Sequence, residues 1–252
     1  MAEKVVTARD GRSRPAFYAL APGGWRDYWT LLHPPYTAWH LSYVAIGAAA
    51  APAFDGGKLG ASVLAFFLGV GLCAHALDEL RGRPLGTRIP DGVLWTIAAV
   101  GLLGAVALGI LGAIEVSWWM LAFVAFGSFI VIAYNLELLR GAFHGDTWFA
   151  LAWGAFPALT GFFAQVGTVR IEAVLVAAAC FALSAAQRTL STPVRALRRR
   201  SARVSGRVVY RDGSEEALDE ASLRAAPETA LRVLAMAVSL LAAGLIAARL
   251  AA

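Results

Sequence analysis

The chain has 252 residues, of which 59% are hydrophobic and 15% charged, with a formal net charge of +5. Soluble domains carry about a quarter charged residues and under half apolar ones, so this composition excludes an ordinary soluble globular protein. The two cysteines, Cys73 and Cys180, both lie inside apolar runs, which excludes a disulfide framework and a zinc cluster.

Residues 1–24 hold Lys4, Arg9, Arg12, Arg14 and Pro15, then a Pro22-Gly23-Gly24 break. No apolar stretch follows closely behind these charges, so the segment reads as a flexible cytosolic tail and not as a cleaved signal. WRDYWTLLH, residues 25–33, mixes aromatic and charged side chains ahead of Pro34-Pro35, which suits a segment lying at head-group level. Apolar runs follow at about 36–53, 59–78, 93–113, 116–135, 147–166, 169–188 and 229–250. Each is close to the length that crosses a hydrocarbon core of roughly 30 Å. Backbone facing lipid must satisfy its own hydrogen bonds, so every span is predicted to be a helix. The fold class expected is an all-α membrane protein, a seven-span helical bundle. Its spans are dotted with glycine and alanine, from Gly47 to Gly154, which let helices approach closely.

Four regions are expected: the tail at 1–24, a membrane domain at 25–190, an insertion at 191–228, and a final span at 229–252. The membrane domain comprises the interfacial segment and six spans. All lysines and arginines except Lys58, Arg170 and Arg249 fall on one side of that arrangement. The positive-inside rule then places the N-terminus in the cytosol and the C-terminus outside. The expected location is a cytoplasmic membrane of prokaryotic type.

The insertion opens with RALRRRSAR beside a span, a pattern that attraction to anionic lipid explains. RVVYRDGSEEAL follows, and its Asp212-Gly213 step between two short runs predicts a β-hairpin. An acidic stretch from Glu215 to Glu220 then leads to a short helix before Pro227. The segment holds no nucleotide-binding loop, and its basic run abuts a span, so no nucleic-acid partner is expected.

Chemistry concentrates in CAHALDELRGRPLGTRIPD, residues 73–91. Spacings of three and four put His75 on one helical face with Asp78 and Glu79. Ionisable groups at the end of a span are costly unless hydrated, paired or bound to metal. Mg²⁺ is commonly held by one or two carboxylates plus substrate phosphates, and Arg81, Arg83 and Arg88 could fork onto phosphate oxygens. The plainer alternative is that Asp78 and Glu79 pair with these arginines at the water interface. A second polar stretch, YNLELLRGAFHGD at 134–146, offers Tyr134, Asn135, Glu137, Arg140, His144 and Asp146 on the same side.

Several phrases, in order, resemble the UbiA superfamily of membrane-embedded prenyltransferases. YWTLLHPPYTAWHLSYVAIGAA, residues 28–49, resembles that family's opening span, with His33 in the place of its usual arginine. AHALDELRG, residues 74–82, falls on the N-D-x-x-D-x-x-R-G phrase with Asp78 on its second aspartate. RPLGTRIPDGVL at 83–94 and the stretch from Tyr134 to Gly161 resemble the loops and fifth span that follow. The likeness covers roughly residues 25–190. Ala74 and His75 stand where the family has Asn and Asp, and QRTLSTPVRA, at 187–196, has no carboxylate where a second aspartate motif is expected. The family has nine spans, two more than expected here.

The resemblance implies a polyprenyl diphosphate bound at the cytosolic rim, with its chain among the helices, and transfer of the prenyl group to an acceptor. It implies Mg²⁺ on Asp78, with Glu79 and His75 behind it, while the missing second motif leaves the second metal site either absent or rebuilt from Asp146 and Glu137. Arg81, Arg83, Arg88 and Arg140, with Tyr134, Asn135 and His144, would bind substrate. Tyr134, Trp148, Trp153 and Phe156 could shield an allylic cation. A rival reading is a catalytically inactive UbiA-like protein that binds lipid or a partner. A transporter is a weaker third, since no span carries a charge at mid-membrane.

Overall fold

The structure, a computed structural model, describes residues 14–251. It is a helical bundle with one small sheet. A short helix α1 (Trp25–Leu31) is followed by α2 (Pro34–Ala50), which starts on two prolines whose fixed φ suits a first turn. Helix α3 (Gly56–Leu80) is capped by Asp55, whose side chain accepts from the backbone N–H groups of Gly57 and Lys58. Then come α4 (Asp91–Glu115), α5 (Met120–Asn135), α6 (Asp146–Val166) and α7 (Ile171–Arg200). Strands β1 (Gly206–Val209) and β2 (Glu215–Leu218) pair antiparallel, and α8 (Glu220–Ala251) closes the chain.

Five helices, α3, α4, α6, α7 and α8, are long and apolar enough to cross a membrane. The other two expected spans are shorter: α2 has 17 residues and α5 has 16. Trp118 and Trp119 form an exposed turn ahead of α5, so that apolar run begins its helix later than 116. Leu103, Leu111 and Ile114 of α4 and Val233, Met236 and Leu240 of α8 point outward uncovered. Outward apolar faces of this extent need a non-aqueous surround. The exposed Trp25, Tyr28 and Trp29 of α1 match an interfacial segment.

Helices α2 and α6 cross at the centre, and α2 is also covered by α8. Glycine makes that crossing possible. A Cβ on Gly47 would sit 1.9 Å from the Ala158 carbonyl oxygen, and one on Gly161 would sit 2.1 Å from that of Val44, so neither position admits alanine without separating the helices. Helices α4 and α5 stack outside α3, and α7 packs along α6 and α8.

Two helices carry wide π-helical stretches, Phe67–Ala74 in α3 and Leu151–Ala155 in α6. Such turns misalign backbone carbonyls, which other groups then take up. The His40 ring accordingly bonds the Trp153 carbonyl at 2.7 Å through Nδ1.

The loops joining these helices gather at two ends. One, the polar end, brings together the N-terminal segment, residues 81–90, residues 136–145 and the hairpin. The hairpin forms as expected around Asp212-Gly213, with Gly213 at φ +85°. Three local expectations change. Helix α7 runs through Pro193 to Arg200; the proline leaves the Thr189 carbonyl without its usual donor, and the hydroxyls of Ser191 and Thr192 turn back onto the neighbouring Arg188 carbonyl. Helix α8 likewise runs through Pro227, so only residues 201–219 separate the two helices. The described part of the tail is packed: Ala16 and Ala19 are buried, and Arg198 and Arg199 donate to the Arg14 and Pro15 carbonyls. Residues 1–13 lie outside the described residues.

Candidate functional site: an arginine-rich recess at the polar end

The stretch 73–91 divides its charged groups between two tasks. Asp78 is half-buried and faces Arg199, Arg195 and His144 across the polar end. Glu79 points the other way. It is 0% exposed, and its carboxylate accepts from the N–H of Leu85 at 2.9 Å and from the N–H and hydroxyl of Thr87, both at 2.8 Å. A carboxylate with three donors is fully engaged in folding its own loop.

The same loop satisfies itself elsewhere. Arg83 donates to the Ile89 carbonyl at 2.6 Å and pairs with Asp91. Arg88 is exposed, and its N–H donates to the buried Asp27. Arg81 pairs with Glu137 at 2.8 Å, and that hydrogen bond holds the Glu137 carboxyl below its usual range. Arg140 is exposed, and Asn135 is turned back onto the Val131 carbonyl. Glu79, Arg81, Arg83, Arg88, Arg140 and Asn135 therefore do not converge on one site.

His75, Asp78, Tyr134 and His144 do converge, and groups the sequence left aside complete their surroundings. His75 stacks on His33, with ring centroids 4.2 Å apart and planes at 16°. His33 Nδ1 meets the Tyr18 hydroxyl at 2.6 Å. Burial pushes the Tyr18 hydroxyl well up, and burial beside His75 pushes the His33 imidazole well down. Tyr134 packs against His144 at 4.4 Å with the rings tilted by 33°, and edge-on to Trp153 at 5.6 Å.

The positive side comes from α7. Arg188, Arg195 and Arg199 are spaced by seven and four, which places them on one stripe of the helix. Arg188 pairs with Asp146 at 2.7 Å. Among the described residues, neither Arg195 nor Arg199 has a carboxylate within ion-pair distance. Two further groups are unsatisfied: His33 Nε2 and the hydroxyl of Tyr134 are buried without a hydrogen-bond partner. Tyr134 is 5% exposed. A buried, unpartnered hydroxyl among unpaired guanidinium groups is what an absent polar ligand would leave.

These arginines carry a readable signal: their stripe continues Ser184, Gln187 and Ser191, and all three are buried. Pro193 obscures it, because a proline ordinarily ends a helix, and a basic run beside a span also suits attraction to anionic lipid. Part of that cluster is instead internal. Arg198 grips Glu228 through two bonds of 2.5 and 2.9 Å.

The donors present do not fit a Mg²⁺ site. Glu79 is saturated, Asp146 is tied to Arg188, and Glu137 is tied to Arg81. Asp78 alone remains, beside two cationic groups. No cluster of three or more His, Cys, Asp or Glu side chains able to hold a metal occurs among the described residues.

Below the recess lies a partly open cavity of about 430 Å³ lined by α3, α4, α5 and α6. Its walls are apolar, and include Phe66, Val70, Val131, Trp153 and Phe156. It reaches Asp55, Lys58 and Glu115 at the opposite end. Along α3, from Lys58 to Val70, that is about 18 Å at 1.5 Å per residue. Trp153 is both a wall of this cavity and the edge-on neighbour of Tyr134, so recess and cavity share one aromatic boundary. Trp148 packs on Phe143 instead.

Compared with protein-family models, curated proteins and solved structures, the chain has no significant match.

Proposed function

We propose that the chain is a UbiA-like membrane-embedded prenyltransferase that binds a polyprenyl diphosphate with its head group in the recess and its chain in the cavity. The observation that carries this reading is the union of two features across Tyr134 and Trp153. One is a set of guanidinium groups without acid partners; the other is an apolar cavity about 18 Å long. An amphiphile with an anionic head and a long apolar tail complements both. With N-terminus and loops cytosolic, as the basic residues suggest, the head group is reached from the cytosol.

In the reaction, the bond between the allylic carbon and the diphosphate oxygen breaks, and its electron pair leaves with the diphosphate. Arg195 and Arg199 offset the charge that develops there, the electrostatic contribution that lowers such a barrier. The allylic cation forms against the rings of Tyr134 and Trp153. The acceptor's nucleophilic atom then bonds to that carbon, and its proton passes to Asp78 or a recess imidazole.

A second reading, a lipid-binding protein without turnover, is favoured by the scattering of the carboxylates that the family likeness assigned to metal. Calorimetry on purified protein, with farnesyl diphosphate and inorganic pyrophosphate as probes, tests binding. Farnesyl diphosphate should bind at least tenfold more tightly than pyrophosphate, because only it fills the cavity. Equal affinities, or none, would sink both readings. Release of diphosphate in the presence of membrane lipid extract separates transferase from binder.

A further inference from the structure

Helix α7 presents Arg195 and Arg199 where a metal-dependent site would need carboxylates. Both are half-buried, both act electrostatically on Asp78, and neither has a carboxylate within ion-pair distance among the described residues. Arg188 adds a third cationic group on the same stripe, held by Asp146. Like charges this close repel each other. Asp78 feels the charge of both Arg195 and Arg199, and among the described residues it meets neither at ion-pair distance. The recess therefore holds more positive than negative charge, with a buried unpartnered hydroxyl on Tyr134 and a buried unpartnered nitrogen on His33. Guanidinium groups suit this arrangement. Each guanidinium is a planar fork that can donate to two oxygens of one phosphate and stays charged when partly buried.

We propose that the recess binds its diphosphate directly through Arg195 and Arg199, without a divalent cation, and that Asp78 is their counter-ion when no ligand is present. This rests on the diphosphate reading above and specifies how the head group is neutralised. An entering diphosphate takes over the guanidinium groups. The Tyr134 hydroxyl donates to an oxygen of the anion, and Asp78 becomes the repelling neighbour. Asp78 thereby has the opposite sign of effect from a metal ligand.

Titrations with farnesyl diphosphate in EDTA and in excess Mg²⁺ separate the alternatives. Direct binding predicts affinities within threefold of each other in the two media. It also predicts a loss of about a hundredfold in Arg195→Ala/Arg199→Ala, partial recovery in Arg195→Lys/Arg199→Lys, and unchanged or up to tenfold tighter binding in Asp78→Asn. Thermal unfolding of each variant checks that the bundle is intact; the Asp78→Asn result needs no loss of binding, so damage to the fold cannot mimic it. Binding that requires Mg²⁺ and is lost in Asp78→Asn would overturn the metal-free proposal while leaving the diphosphate reading standing. Absence of binding in both media by folded protein would overturn the diphosphate reading and this proposal with it.

Discussion

Residues 79–91 and residues 188–199 are both short, basic and at the polar end, yet the structure uses them in opposite ways. The first is the richer in apparent chemistry, with Glu79, Arg81, Arg83, Arg88 and Asp91. Almost all of that chemistry is consumed locally: Glu79 ties Leu85 and Thr87, Arg83 ties Asp91, and Arg81 ties Glu137. The second lies on one helix face and contains no carboxylate, so its own side chains cannot neutralise one another. It delivers Arg195 and Arg199 to Asp78 with their charges unanswered. A loop can fold until its charges are satisfied; a helix face holds them where packing puts them.

The comparison breaks most readily at Glu79. Replacing it with alanine strands two buried N–H groups and a hydroxyl, at about 1–3 kcal/mol each. Thermal or chemical unfolding in detergent should show a loss of about 3–5 kcal/mol. A variant as stable as the parent would mean that Glu79 is a functional group after all.

Acid should weaken the recess next. The His33 imidazole is held well below its usual value by burial and by His75, so the folded state resists a proton that the unfolded chain accepts. Stability is then full above the ordinary imidazole value of about 6.5 and is lost as pH falls below it, toward the lowered folded value. The melting temperature should be lower at pH 5 than at pH 8, and His33→Gln should narrow that difference. An unchanged gap would place the sensitivity elsewhere.

Tyr134→Phe sharpens the contrast, because stability and binding should part company. Removing a buried hydroxyl that has no partner leaves the melting temperature equal or slightly higher, whereas pyrophosphate affinity should fall about ten- to a hundredfold, the worth of one hydrogen bond to a charged group. The smallest effect is expected at Arg81. Its pair with Glu137 is exposed on both sides, and such pairs contribute about 0–1 kcal/mol. Arg81→Ala should leave affinity for pyrophosphate within twofold of the parent, as measured by the same titration.

Much of the architecture was legible in order along the chain. The apolar runs gave the helices, the Asp212-Gly213 step gave the hairpin, and the aromatic segment before Pro34 is a short helix with exposed Trp25, Tyr28 and Trp29. Misreadings came where local punctuation met tertiary support. Pro193 and Pro227 looked like helix ends but sit inside α7 and α8. At the polar end, residue type and spacing single out Asp78, His75, Tyr134 and His144 as candidates, and the structure brings these four to one place. Arg195 and Arg199 were not, because a basic run beside a span looks the same whether it faces lipid or protein.

Sequence by itself determined that this is a helical membrane protein and that its polar groups crowd one end. That follows from length and hydropathy, since a hydrocarbon environment permits few alternatives. Only the tertiary structure decided which charges are spent and which remain. Asp78 and Glu79 are neighbours in the chain, but successive helical positions point about 100° apart. One therefore meets a loop that saturates it, and the other meets the arginines of a helix more than a hundred residues away.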